Sequence, residues 1–308
     1  MIRPFRAGDA APAVAVLRES APDWTSSPAS LLHRLAAHPP RARQAAWAAE
    51  EEGEVVGVAR ARLRWEVSAR PVGWLWVAVR PAARGRGSGA ALFSVAERHL
   101  AEAGADVLES FAYEESGRTF LEARGFRRTG TEHLLTLDVV RADPSAPARL
   151  RPEREREGFS VVSLAEALDR PRDVHAVYAA AHADVPDSFG VDDLRYEEWR
   201  RECLDDPDLA REGSAVVLHG ERPVALAFVM ADGEGRAAND LTGTLPEYRR
   251  RGLARLAKLA TIRWAAEAGV ERIVTGSDEA NAGMRSLNAS LGYRPLATGT
   301  LYLREGLS

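Results

Sequence analysis

The stretch Val79-Arg-Pro-Ala-Ala-Arg84-Gly85-Arg86-Gly87-Ser88-Gly89 returns 165 residues later as Thr244-Leu-Pro-Glu-Tyr-Arg249-Arg250-Arg251-Gly252-Leu253-Ala254. Pro81 falls on Pro246, Arg84 on Arg249 and Gly87 on Gly252. The same spacing carries Ala101-Glu102-Ala103-Gly104 onto Ala266-Glu267-Ala268-Gly269, and Gly125-Phe126 meets Gly292-Tyr293 at a spacing of 167. One constant offset across several unrelated signatures marks an internal duplication. The 308 residues therefore resolve into two domains of ordinary size. Their expected bounds are 1–140 and 158–308. Between them, 141–157 combines Pro, Ala and alternating charge with few bulky apolar residues, the composition of a solvated linker.

Working outward from the repeated loop, each copy reads as mixed helix and strand. In the first, helices are expected around Ala13–Arg18 and after Ser27-Pro28, and strands at Gln44–Ala49, Val55–Leu63 and Trp74–Val79. An amphipathic helix then runs from about Gly87 to Ala103, followed by a strand at Val107–Tyr113 and a short helix ending near Arg124. The second copy repeats this with strands at Ser214–Leu218, Val224–Met230, Ala238–Thr244 and Arg272–Ser277 and a helix from about Gly252 to Ala268. Such an order predicts an α/β (α+β) fold, a mixed central sheet flanked by helices, present twice in tandem.

Composition narrows the function. Apolar residues make up 45% of the chain and charged residues 28%, the balance of a folded globular protein. Cys203 is the one cysteine, so neither an internal disulfide nor a cysteine metal or redox motif is available, and a cytoplasmic protein is expected. The best apolar run, Trp74–Val79, falls far short of the roughly 18 residues a membrane span needs. Net charge is −4; the first copy is nearly neutral, while the second carries 24 acidic against 18 basic residues. No basic footprint for nucleic acid exists. The acidic second copy leans toward a cationic acceptor.

The repeated loop carries the chemistry. Both copies fit R-x-x-G-x-(G/A) between a strand and a helix. Backbone N–H groups at a helix start form a concave anion site, and small residues let a diphosphate approach the main chain. Copy one also fits G-x-G-x-x-A through Gly85, Gly87 and Ala90, the form of a dinucleotide fingerprint. That fingerprint turns directly off its strand, whereas five residues separate Val79 from Gly85, and copy two loses the pattern at Arg250 and Arg251.

Both halves resemble GCN5-related N-acetyltransferases joined in tandem, over essentially the whole chain, with the loop and the Gly-aromatic turn as the most specific parts. The resemblance implies acetyl-CoA as co-substrate and no metal. It implies that Val79, Arg84, Gly85, Arg86, Gly87, Ser88 and Gly89, and Thr244, Arg249, Arg250, Arg251, Gly252, Leu253 and Ala254, hold the donor, the last strand residues lying beside the thioester carbonyl. Asn281 matches the asparagine that touches the pantetheine arm; Ser116 stands near that place in copy one. The family commonly sets a tyrosine, which protonates the departing thiolate, four residues before the Gly of the Gly-aromatic turn. Those positions are Leu121 and Asn288, of which Asn288 can donate a hydrogen bond.

Transfer needs a neutral amine, hence a proton acceptor. Asp240 precedes the second loop, and period-two alternation sets Thr242 and Thr244 on its face; copy one has Leu75 there. Asp240 and Asn288 are therefore the catalytic candidates, and the C-terminal half the catalytic one. The N-terminal half either binds acetyl-CoA or packs as a structural layer, giving a monomeric pseudo-dimer or a homodimer. Acceptor contacts are expected among His175, Tyr178, His182, Asp184, Asp187, Tyr196 and Trp199; no third metal ligand accompanies His175 and His182. The expected activity is acetylation of a small-molecule amine. The alternatives are a protein N-acetyltransferase and a non-catalytic acyl-CoA-binding or sensing protein.

Overall fold

The computed structural model describes residues 1–142, 146–186, 188–190, 192 and 194–306. It divides into two compact units, Met1–His133 with Ser188–Asp192 and Ala297–Ser308, and Leu134–Asp187 with Asp193–Leu296. The first copy opens with β1 (Ile2–Pro4), α1 (Ala10–Ser20) and α2 (Pro28–Ala36). The Ser27 hydroxyl caps α2 by accepting the Ser30 N–H, and Pro28 sits in its first turn, where a missing N–H costs nothing. Strands β2 (Ala45–Glu51), β3 (Glu54–Leu63) and β4 (Val72–Val79) follow in an antiparallel run. Then come α3 (Ser88–Glu102), β5 (Val107–Ala112), α4 (Glu115–Glu122) and β6 (Arg127–Asp138).

The run Val72–Val79 is apolar throughout because both faces of its sheet are covered. Leu75 packs in one core with Leu92, Phe93 and Ala96 of α3, while Trp76 and Ala78 pack in another with Val14 and Leu17 of α1.

The second copy runs α5 (Ala146–Arg156), β7 (Phe159–Ser163), α6 (Leu164–Ala167), α7 (Pro171–Ala183), α8 (Tyr196–Trp199), β8 (Ala215–His219), β9 (Arg222–Ala231) and β10 (Arg236–Thr244). It ends with α9 (Leu253–Glu267), β11 (Arg272–Asp278), α10 (Ala282–Ser290) and β12 (Arg294–Glu305). Helices α3 and α9 keep the 165-residue spacing at both ends, and β6 and β12 keep 167.

The compact units depart from the expected bounds of 1–140 and 158–308. In the second unit Leu137 of β6 and Val139 beyond it pack with Val229, Ile262 and Ile273, and the Val139 N–H donates to Glu271 O at 3.0 Å. In the first unit β12 pairs antiparallel with β5 from Thr300↔Ala112 to Glu305↔Val107, and buried Tyr302 donates to Glu122 at 2.8 Å. Each copy's last strand thus completes the other copy's unit. A terminal strand of the same length and pattern fits either sheet edge, so the repeat alone does not say which edge it joins.

The expected linker also differs. Residues 143–145 lie outside the described residues, and 146–156 form α5, which packs on β7 and α9. Ala, Arg and Glu are good helix formers, and Arg151 pairs with Glu155 one turn on at 2.7 Å, so a polar composition here means helix. Among the described residues no helix is long and apolar enough to cross a membrane.

Candidate active site

In both units the site begins where two parallel strands part. β4 and β5 pair only from Val72↔Val107 to Trp74↔Glu109, and β10 and β11 only from Arg236↔Arg272 to Ala238↔Val274. Beyond those points the facing main-chain edges lack each other as partners and open a V-shaped cleft. Its volume is about 460 Å³ in the first unit and 620 Å³ in the second.

The repeated loop crosses the mouth of each cleft. Gly87 (φ +91°) and Gly252 (φ +74°) hold the helix entry in the left-handed region, where a side chain is strained. Neither α3 nor α9 has a side-chain cap or an acidic residue in its first turn, so the first N–H groups keep their charge for an anion. Arg84 Nε donates to Val79 O at 3.0 Å and Arg249 Nε to Thr244 O at 3.2 Å. These two arginines clamp the loop to its strand, and each also forms an ion pair, Arg84 with Glu114 and Arg249 with Asp184.

The loops then diverge. In the first unit Ser88 Oγ donates to Glu51 at 2.7 Å and Arg86 reaches the same carboxylate at 3.3 Å, which holds the Glu51 carboxyl below its ordinary range. Gly85, Gly87 and Gly89 still line that cleft, opposite Trp76, Phe111 and Phe120. In the second unit Arg250 and Arg251 are exposed and, among the described residues, pair with no carboxylate; Arg251 lies 5.9 Å from the Tyr248 ring. Arg250 adopts φ +61° where copy one has Gly85 at φ +78°.

The strand carrying Asp240 corrects the expected alternation. Asn239 pairs with Val229 and Thr242 with Ala227, so Asp240 and Leu241 together stand opposite Phe228. This bulge inverts the phase of the strand. Asn239, Thr242 and Thr244 consequently share the α9 face, on which Asn239 meets Lys258. Asp240 and Gly243 face α7: Tyr178 donates to Asp240 at 3.0 Å, and a Cβ at Gly243 would collide with Ala181. The continuous pairing Gly57↔Val79 to Leu63↔Gly73 gives β4 no such bulge. Burial and the neighbouring Asp240 carboxylate hold the Tyr178 hydroxyl far above its ordinary pKa, so it remains a donor. Tyr178 is expected from sequence among the acceptor contacts, whereas its bond to Asp240 has no signal there.

Thr244, Gly252, Leu253 and Ala254 line the second cleft. So does Asn281, although its Oδ1 caps α10 by accepting from the Met284 N–H at 3.1 Å. Asn288 departs from expectation: it is wholly buried, absent from the cleft lining, and neither side-chain amide atom has a partner among the described residues. It lies one helical turn past Met284, whose side chain lines the cleft above it. Leu121, its counterpart, is buried in the first core.

Of the acceptor candidates, Asp184 lines the cleft, while His175 Nε2 donates to Leu194 O at 2.7 Å and its ring packs against Tyr196 and Trp199. His182 stacks on Tyr178, and Asp187 lies outside the described residues. Among the described residues no group of three or more His, Cys, Asp or Glu is placed to hold a metal ion.

Comparison with known proteins bears on this geometry. Over 252 residues the chain is 29% identical to the mycothiol acetyltransferase of Nocardiopsis dassonvillei, covering 73% of this chain and 72% of that protein. Its fold is similar to a GCN5-related N-acetyltransferase from Sphaerobacter thermophilus, with TM-score 0.72, 16% identity and coverage of 99% and 95%. It is also similar to a tandem GNAT protein from the clavulanic acid biosynthesis pathway, with TM-score 0.71, 20% identity and coverage of 99% and 98%. The model of the acetyltransferase (GNAT) family matches residues 13–126 and again 174–293. With both copies of the strand–loop–helix cleft inside those matches, this chain belongs to the GNAT acetyltransferase family and is an acyltransferase with two such domains in tandem.

Proposed function

We propose that the second unit transfers an acetyl group from acetyl-CoA to the primary amine of a small molecule. The observation that carries this reading is the β10 bulge. One strand thereby turns Thr242 and Thr244 toward the helix that would receive the donor and Asp240 toward the opposite face, where an acceptor would lie. Acetyl-CoA would supply the thioester carbonyl. The first N–H groups of α9 and the exposed Arg250 and Arg251 suit its diphosphate. Main-chain N–H groups along the splayed edge of β10 suit the oxygen on which charge develops.

The amine nitrogen bonds to the carbonyl carbon as the carbon–sulfur bond breaks, and the ammonium proton goes to Asp240. Tyr178 fixes that carboxylate by donating to it. A thiol of ordinary pKa about 8.5 leaves as thiolate and takes its proton from solvent, so the burial of Asn288 removes no essential step. The excess of acidic residues in this copy suits a cationic acceptor.

The acid-free leaving step also favours a second reading, an acyl-CoA-binding protein without turnover. Release of CoA thiol from acetyl-CoA with a panel of small amines, alongside calorimetric titration of acetyl-CoA, separates the two. Turnover that Asp240→Asn abolishes supports the enzyme. Binding with no thiol release on any amine supports the sensor, and no binding overturns both.

A further inference from the structure

The vertex of the second cleft hides a polar cluster. Lys258, the only lysine in the chain, is 0% exposed and donates to Asn239 Oδ1 at 2.9 Å. The Tyr293 hydroxyl donates to the same oxygen at 2.7 Å, and Lys258 Nζ lies 4.8 Å from the Tyr293 ring centre. Among the described residues no carboxylate pairs with Lys258, and burial alone lowers its pKa to about 7. Among the described residues the Nδ2 of Asn239, the Oγ of Ser277 and both amide atoms of Asn288 are likewise buried with no partner.

Topology sets these groups at one place. Ala238↔Val274 is the last strand pair, so Asn239 is the first residue of β10 beyond the point of parting. Ser277 shares a face of β11 with Ile273, which packs against Ile262 and Ala265 of α9. Asn288 lies a turn past the cleft residue Met284 and next to Leu287, and its carbonyl accepts the Tyr293 N–H at 3.1 Å. Asn239 thus stands where the strands part, and the rest of the cluster lies behind the residues that line the cleft.

The first unit shows that the fold does not need it. The equivalent positions hold Leu75, Phe93, Ala112, Leu121 and Phe126, all apolar, with Phe93 and Phe126 edge to face at 6.0 Å. A buried cation without an anion and several orphaned polar atoms are unfavourable unless something pairs with them. The ligand that answers both is an anion with hydrogen-bond acceptors.

We propose that the second unit accepts acyl-CoA donors whose acyl chain ends in a carboxylate, as in succinyl-CoA, with that carboxylate seated at the vertex on Lys258 and the Asn288 amide. The inference rests on the reading of this cleft as the donor site. The bond changes are those of acetyl transfer, and the terminal carboxylate is untouched.

The test compares succinyl-CoA with butyryl-CoA, of equal chain length but apolar, on the full-length protein and on its Lys258→Met and Asn288→Leu variants. Calorimetric Kd is the first readout and kcat/KM for thiol release the second. Succinyl-CoA is expected to be favoured by at least about tenfold, the worth of one charge-assisted hydrogen bond, and the ratio to fall toward one in both variants. The inference is overturned by a wild-type ratio near or below one. It is equally overturned if the variants weaken both donors alike, which would mean that the cluster is only internally hydrated. Should no donor release thiol, the proposed activity fails while the ratio of Kd values still decides this inference.

Discussion

The loop after β4 and the loop after β10 have nearly the same backbone and different electrostatic company. Both leave a strand through a short turn, are clamped by an arginine onto the last strand carbonyl, and enter a helix through a left-handed glycine. The clamping arginine meets a carboxylate in both, Glu114 or Asp184, and in the first unit Glu51 also takes up Ser88 and Arg86. In the second, Arg250 and Arg251 stay free of carboxylates among the described residues. Backbone geometry therefore makes an anion site available twice, and side-chain pairing decides which copy presents it with net positive charge. The same division separates the strands, since only β10 carries the bulge and Asp240.

The largest effect should come from that carboxylate. Asp240→Asn keeps an oxygen for Tyr178 but removes the proton acceptor, so kcat for thiol release should fall about a hundredfold or more, with Kd for acetyl-CoA little changed. In the first unit no residue takes its place: Leu75, aligned with it in sequence, pairs with Ala61 and packs in the core under α3.

Next in size is the loop. A valine at Gly252 must adopt φ +74°, a strain of about 1–2 kcal/mol, and it also crowds the anion cradle. Gly252→Val should weaken acetyl-CoA binding about tenfold or more, whereas Gly87→Val should leave turnover nearly unchanged. The reverse result, read by titration and thiol release, would reassign the working half.

A smaller change should sharpen the contrast from the other side. In Glu51→Gln the amide oxygen can still accept from Ser88, yet the charge opposing a diphosphate is gone. Titration of the wild type should find one acetyl-CoA per chain, and titration of the variant a second, weaker equivalent.

The subtlest difference is one of pH. Lys258 titrates at about 7 when folded and at its ordinary 10.5 when unfolded. Between those values the unfolded chain holds the extra proton, so stability rises with pH across that window and levels off above it. In Lys258→Met the rise should vanish. Denaturant melts at pH 7 and 9 read the slope, and an unchanged slope in the variant would place its origin elsewhere.

Much of this architecture was legible because its causes are local. The apolar run Val72–Val79, the Ser27-Pro28 helix start and the two arginine–glycine loops each encode their own conformation, and the spacing of 165 ties them into two copies. The destination of β6 and β12 was not legible, because a strand's pattern specifies a sheet edge without saying whose. Nor was the face of Asp240: one extra residue opposite Phe228 reverses a strand's phase, and no residue type announces it. Asn288 was assigned by the role of its position in the family, whereas its burial follows from how α10 lies on the sheet. The Glu51 contact joins residues 37 positions apart and appears only when the β2–β3 turn folds beside the loop.

The lone lysine also makes this chain its own gauge. All other basic side chains are guanidinium or imidazole groups, which amine-selective esters leave alone, and Lys258 lies on the buried face of α9. Folded protein should therefore show no labelled lysine by peptide mass mapping. The first modified Lys258 would mark the moment the second unit opens, timing its unfolding separately from the first without an introduced probe.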